Sequence, residues 1–145
     1  MAVTASAGKN ASIDSSATIH TADAGLLRFA LRLDAAITAA NGLAYLAALW
    51  LLDGALGVPA AFLAGVGAFL IAFAAFVGRL SAQPSPGRRA VIAVIAANVL
   101  WALDGALLLA ADWFTPTTAG QVVVALQAVG VAGLAALQYA GLRRA

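Results

Sequence analysis

Residues 54 to 78 read GALGVPAAFLAGVGAFLIAFAAFVG, twenty-five residues without a charge. An α-helix rises about 1.5 Å per residue, so about 20 apolar residues cross the roughly 30 Å hydrocarbon core of a bilayer. Three more runs of this kind surround the first. Residues 35 to 52 (AAITAANGLAYLAALWLL) hold 18 residues without a charge, and residues 113 to 142 hold 30. Between them, AVIAVIAANVLWALDGALLLAA (90–111) holds 22 residues with one charge, Asp104. The direct reading is an all-α, polytopic membrane protein. We expect a four-transmembrane-helix bundle with spans near 27–53, 59–79, 89–111 and 117–142.

Composition agrees. Of 145 residues, 63% are hydrophobic and 10% charged, against about 25% charged in ordinary soluble domains. Forty alanines and twenty-two leucines put the excess into helix formers. A soluble bundle would need polar outer faces on four helices, and the charges are too few to supply them. The chain has no cysteine and no glutamate, and its one histidine, His20, stands before the first apolar run. Disulfides, thiolate zinc sites and iron–sulfur clusters are therefore excluded, and we expect no cofactor and no bound metal. Eight basic residues are too few for a nucleic-acid footprint.

The joints and the charges fit four spans. Pro59 and Pro116 stand where a first helical turn tolerates a missing N–H, and residues 79–89 (RLSAQPSPGRR) form a proline-broken polar loop. Lys9, Arg28 and Arg32 precede the first span, Arg79, Arg88 and Arg89 lie in the middle loop, and Arg143 and Arg144 follow the last. All eight cations fall on one side of a four-span chain, whereas the other two loops carry Asp53 and Asp112. The positive-inside rule then puts both termini in the cytoplasm of a bacterial inner (plasma) membrane. Trp50, Trp113 and Phe114 fall near the outer boundary and Tyr139 near the inner one, as an aromatic belt requires. Residues 1–23, rich in Ala, Ser and Thr, lack an apolar core of a secretory signal. They read as a disordered polar cytoplasmic leader, with Thr21 or Asp23 capping a helix near Ala24. Residues 26–33 (LLRFALRL) are amphipathic enough to lie partly in the interface before turning into the first span.

An internal repeat has an offset of 57: Arg32 matches Arg89, Asn41 matches Asn98 and Pro59 matches Pro116. A rival offset of 51 aligns LWLLDGAL (49–56) with LWALDGAL (100–107). The first keeps prolines and arginines in phase, so we favour two repeated helical hairpins in that register.

The chemistry-bearing side chains are few. On a helical wheel Asp34, Thr38, Asn41, Tyr45 and Ala48 share one arc of the first span. Gly120, Gln127 and Gln138 share a face of the fourth, and Asn98, Ala102 and Gly105 one of the third. Polar groups in hydrocarbon seek partners across the bundle, so such faces serve either as interhelical glue or as the lining of a polar cavity. Asp104 is the sharpest single residue, a carboxylate near a helix centre with no basic residue in any span to pair with it. It either bonds to Asn41, Gln121, Gln127 or a carbonyl, or marks a proton or ion path. The candidate ligand- or ion-binding set is Asp104, Asn98, Asn41, Tyr45, Gln127 and Asp34. On the second span Phe62, Phe69, Phe73 and Phe76 form a stripe that should meet lipid or another subunit. Opposite them, Ala60, Ala64, Gly67, Ala74 and Gly78 should pack inside. We expect no catalytic residues: the acids are single, no histidine can activate a serine, and no phosphate-binding glycine pattern occurs.

The segments LRLDA, AANGLAYL, AANVLWALD and TPTTAG, taken together over residues 26 to 143, resemble a class of small four-span actinobacterial membrane proteins of unassigned function. That resemblance implies the four-span fold and no activity. The chain lacks the glutamate that small multidrug exporters place at the start of a span, and the asparagine–phenylalanine pattern of small fluoride channels. From sequence the expected role is a non-enzymatic accessory or oligomeric membrane component whose partners are the lipid bilayer and either copies of itself or a larger membrane complex. The alternative is a small-ligand or proton-coupled carrier using the polar groups of the bundle.

Overall fold

The alanine- and leucine-rich runs form four helices: α1 (Ala7–Leu51), α2 (Ala60–Ala82), α3 (Arg88–Ala110) and α4 (Thr118–Arg144). The structure is a computed structural model that describes the backbone of residues 7–51, 59–111 and 117–145, and the side chains of 25–49, 59–111 and 117–145. The Trp50 side chain, Asp53 and residues 112–116, on which the outer aromatic belt, the acidic loops and Pro116 depend, lie outside the described residues. Three helices, α2, α3 and α4, are long and apolar enough to cross a membrane.

Helix ends have local causes. Pro59, extended at φ −58° and ψ 136°, precedes α2 and its carbonyl accepts from Phe62 N at 3.0 Å. Thr117 caps α4, its Oγ1 accepting from the Gly120 amide at 3.2 Å. Between α2 and α3, the Pro84 carbonyl accepts from Arg28 Nη2 at 3.0 Å, tying the loop to α1. Two expectations differ from the structure at the start of the chain. α1 begins at Ala7, not near Ala24. This stretch is alanine-rich but has no apolar periodicity to announce a helix, and extending a formed helix costs far less than nucleating one. Nor does the chain turn after residues 26–33: Leu27, Ala30 and Leu31 are buried inside the bundle on one continuous α1.

The helices run up and down in turn. Gly42 of α1 meets Gly67 of α2, and a Cβ on Gly42 would lie 3.0 Å from the Gly67 carbonyl oxygen. Gly141 of α4 meets Leu27 of α1, and a Cβ there would lie 2.9 Å from the Leu27 Cα. These two glycines let backbones touch. α1 thus packs on both α2 and α4, and α3 packs on α4, while α2 and α3 scarcely meet. The apolar core sits where the arginine-bearing ends converge. It joins Leu27 and Leu31 of α1, Val77 and Leu80 of α2, and Val91 and Val94 of α3. The bundle is therefore closed at its basic end and parted between α2 and α3 beyond it.

Its polarity is the reverse of a water-soluble domain. Asp34 and Gln138 are 0% exposed, whereas Leu126 is 69% and Val129 73% exposed. Apolar side chains on the outside and polar ones within suit a surrounding of hydrocarbon.

Candidate functional site

The inward arc of α1 supplies the first polar groups. Asp34 is enclosed and accepts three hydrogen bonds: from Thr38 Oγ1 at 3.0 Å, from Asn98 Nδ2 at 2.8 Å and from Gln138 Nε2 at 2.6 Å. Asn98 Nδ2 also reaches Gln138 Oε1 at 3.1 Å. One carboxylate thus joins α1, α3 and α4 directly above the apolar core. Every donor is neutral. A carboxylate offers only acceptors, so amide and hydroxyl donors match it, and the low-polarity surroundings strengthen each bond.

About three helical turns from Asp34, Tyr45 Oη donates to Gln127 Oε1 at 2.8 Å, a second tie between α1 and α4. Between the two ties the parting of α2 from α3 opens a cavity of about 300 Å³. Thr38, Asn41, Asn98, Asp104 and Gln127 give it polar groups, and Phe69, Phe73 and Trp101 give it aromatic ones. It adjoins a second cavity of about 420 Å³, with Tyr45 in its wall, and Trp101, Asp104 and Gln127 line both. The Phe69 ring stacks on Trp101 across the gap, centroids 6.1 Å apart and planes 11° from parallel, and on Phe73 at 6.0 Å and 16°.

The six residues singled out from sequence divide between these features. Asp34 and Asn98 belong to the buried cluster, Tyr45 and Gln127 form the second tie, and Asn41 and Asp104 line the cavity. Asn98 and Gln127 line it as well. Asp104 departs from expectation. It is exposed, and among the described residues no hydrogen bond joins it to Asn41, Gln121, Gln127 or a carbonyl. Position on α3 explains this: Asp104 lies beyond the closed end, where α2 has parted from α3 and brings no partner near. Asn41, too, makes no hydrogen bond with a described side chain.

Sequence reasoning left out Thr38 and Gln138 as site residues, although it had put both on inward faces. Their signal was there: each shares its helix face with another polar residue. It also expected the phenylalanine stripe to meet lipid or another subunit. Phe62, Phe69 and Phe76 are 42%, 52% and 49% exposed, yet Phe73 packs against the core and Phe69 and Phe73 wall the cavity. The polar groups that the stripe itself lacks come from α3, where Trp101 and Asp104 stand one turn apart. On the small-residue side, Gly67 and Ala74 are buried as expected, while Ala60 is exposed. Tyr139 is exposed beneath Arg143, whose guanidinium carbon lies 5.8 Å from the ring centroid. No group of three metal-ligating side chains occurs among the described residues.

Comparison with protein-family models, curated proteins and solved structures finds no match. The function has to be argued from the cavity.

Proposed function

We propose that the chain is a four-span, non-enzymatic membrane protein of the bacterial inner membrane that holds a small ligand between its helices. The observation that carries this is the cavity between α2 and α3, whose wall presents the Asn41 amide and the Asp104 carboxylate without protein partners among the described residues. Glue pairs its groups, as Asp34 does. Polar groups kept unpaired in an apolar bundle cost stability, and a ligand able to bond them removes that cost. The cavity's size lies at the lower end of the range of small-molecule sites.

Finer features of this reading rest on the sequence and gain support from packing. α1 is the fourth span: its residues 35–52 are uncharged, and it lies along α2 and α4. The arginines at the closed end support cytoplasmic termini. A duplication at offset 57 is supported by equivalent burial, since Val77 and Leu134 are both buried, as are Ser81 and Gln138. The tight α1–α4 and loose α2–α3 packing is then the divergence that made the cavity.

The test is thermal unfolding of the full chain in lipid nanodiscs against small lipophilic anions, neutral molecules and cations. Saturable stabilisation by at least one charge class is expected, lost in Ala97→Trp or Val131→Phe, which fill the cavity. Failure of every class to stabilise the wild-type chain overturns the reading. A second reading, an accessory or oligomeric component, is favoured by the alanine-lined groove on the outer face of α3 and α4, where Ala102, Ala128, Ala132 and Ala136 meet. Small residues let another helix approach. If that reading holds, Ala132→Trp dissociates an oligomer visible by cross-linking in the membrane.

A further inference from the structure

Resting on the ligand-binding reading, we infer that the cavity selects a lipophilic organic cation, its charge beside Asp104 and its apolar body against Phe69, Phe73 and Trp101.

Charge comes first. Among the described residues lining the two adjoining cavities there is no lysine, arginine or histidine, and Asp104 is the one carboxylate. The described arginines stand elsewhere: Arg28, Arg32, Arg79, Arg88, Arg89, Arg143 and Arg144 all belong to the closed end. Behind the inner wall lies Asp34, whose three hydrogen-bond donors are all neutral side chains. A cleft lined by one sign of charge within low-dielectric walls concentrates ligands of the opposite sign. Anions are disfavoured for the same reason, and a neutral ligand leaves Asp104 unpaired in an apolar wall.

The wall chemistry then decides which cation. A metal ion needs about six oxygen ligands to replace its water. Here Gln127 Oε1 is engaged by Tyr45, Thr38 bonds to Asp34, and most of the remaining lining is hydrocarbon. A quaternary ammonium or similar ion has its charge buried in carbon, holds water weakly, and is attracted to aromatic faces. Three near-parallel rings share a cavity with a carboxylate that stands one turn of α3 from Trp101, offering both halves of such a ligand its partner.

The experiment compares benzyltrimethylammonium with neopentylbenzene, which has carbon in place of the charged nitrogen and nearly the same shape. Both are measured by equilibrium dialysis against the full chain in zwitterionic nanodiscs, with empty discs subtracted. The expected result is saturable binding of the cation at one site per chain, at least about tenfold tighter than its neutral isostere. Asp104→Asn should abolish that preference, Asp104→Glu should keep most of it, and Phe69→Leu or Trp101→Leu should weaken the cation several-fold, about the range of a partly desolvated cation–π contact. Since Asp104 makes no hydrogen bond to a described residue, Asp104→Asn tests charge without breaking the bundle, and circular dichroism of each variant checks this. Equal binding of the two probes, unchanged in Asp104→Asn, overturns the cation inference and leaves the cavity reading standing. Absence of binding by both, joined to the failure of every class in the thermal panel, overturns the cavity reading itself.

Discussion

Asp34 carries more of the bundle's specificity than any other single side chain, because its partners come from three different helices. Asn98 Nδ2 and Gln138 Nε2 both donate to its Oδ2, so losing one removes a hydrogen bond to a charged group, about 1.5–3 kcal/mol, and losing both leaves Oδ2 buried and unsatisfied. Gln138→Leu removes the 2.6 Å donor to Asp34 and the acceptor for Asn98 together. It should lower unfolding free energy in detergent by about that amount, with helix content before the transition unchanged. Asn98→Leu should cost a similar amount. The double variant should cost more than the sum, since only the loss of both donors leaves Oδ2 without a partner, and groups in one network couple by about 0.5–3 kcal/mol. Additive losses would mean that the two amides act separately, contrary to the geometry. The residue scale also separates two acids that the sequence put in one candidate set. Asp34 stands where the helices converge and finds donors; Asp104 stands where they have parted and finds space.

At the scale of the helix, two glycine classes predict opposite outcomes. A Cβ at Gly141 would lie 2.9 Å from the Leu27 Cα, so α4 must move away from α1 to admit it. At Gly67 the nearest atoms, 2.8 Å and 2.9 Å away, belong to the Leu46 side chain, which can turn aside, although the Gly42 carbonyl oxygen follows at 3.1 Å. Gly130 and Gly133 meet nothing within 4 Å. Gly141→Ala should therefore destabilise most and weaken the Asp34–Gln138 bond one turn away, and Gly67→Ala should cost less. Gly130→Ala and Gly133→Ala should be neutral or stabilise by up to about 1 kcal/mol, the helix-propensity gain. Thermal melts in one detergent rank the series; a Gly141→Ala melt matching wild type would refute the close approach. Helices were legible from sequence because uncharged length needs no partner to be read. The Asp34 arc and the Gln127–Gln138 face were legible too, since periodicity on one helix gives a face. What periodicity cannot give is which faces meet. Phe69 was read as an outward residue because nothing on α2 says that Trp101 of α3 stands beside it, and Asp104 was given partners because nothing on α3 says that α2 leaves it.

For the whole molecule, the four-span proposal turns on α1 crossing with α2, α3 and α4. Its apolar part follows Arg28, Arg32 and Asp34, so by hydropathy it is the weakest of the four. Packing argues the other way. Gly42 pins α1 to the middle of α2, and Leu27 pins it to the end of α4. On the four-span proposal, a helix held along two neighbours at separate depths crosses with them. Asp34, the charge that lowers its hydropathy, is enclosed by α3 and α4 and never faces lipid. The chain has no cysteine, so single-cysteine variants report without interference. Ser6→Cys, Ser85→Cys, Ala145→Cys and Thr115→Cys sample the leader, the middle loop, the tail and the last loop. With four spans, a membrane-impermeant maleimide applied to intact bacterial cells labels only the Thr115→Cys chain, and the other three react after the membrane is opened. If α1 does not cross, the leader lies on the same side as residue 115, and Ser6→Cys labels with it while Ser85→Cys and Ala145→Cys stay protected. One position thus separates three crossings from four, because removing the first crossing flips the leader and nothing else.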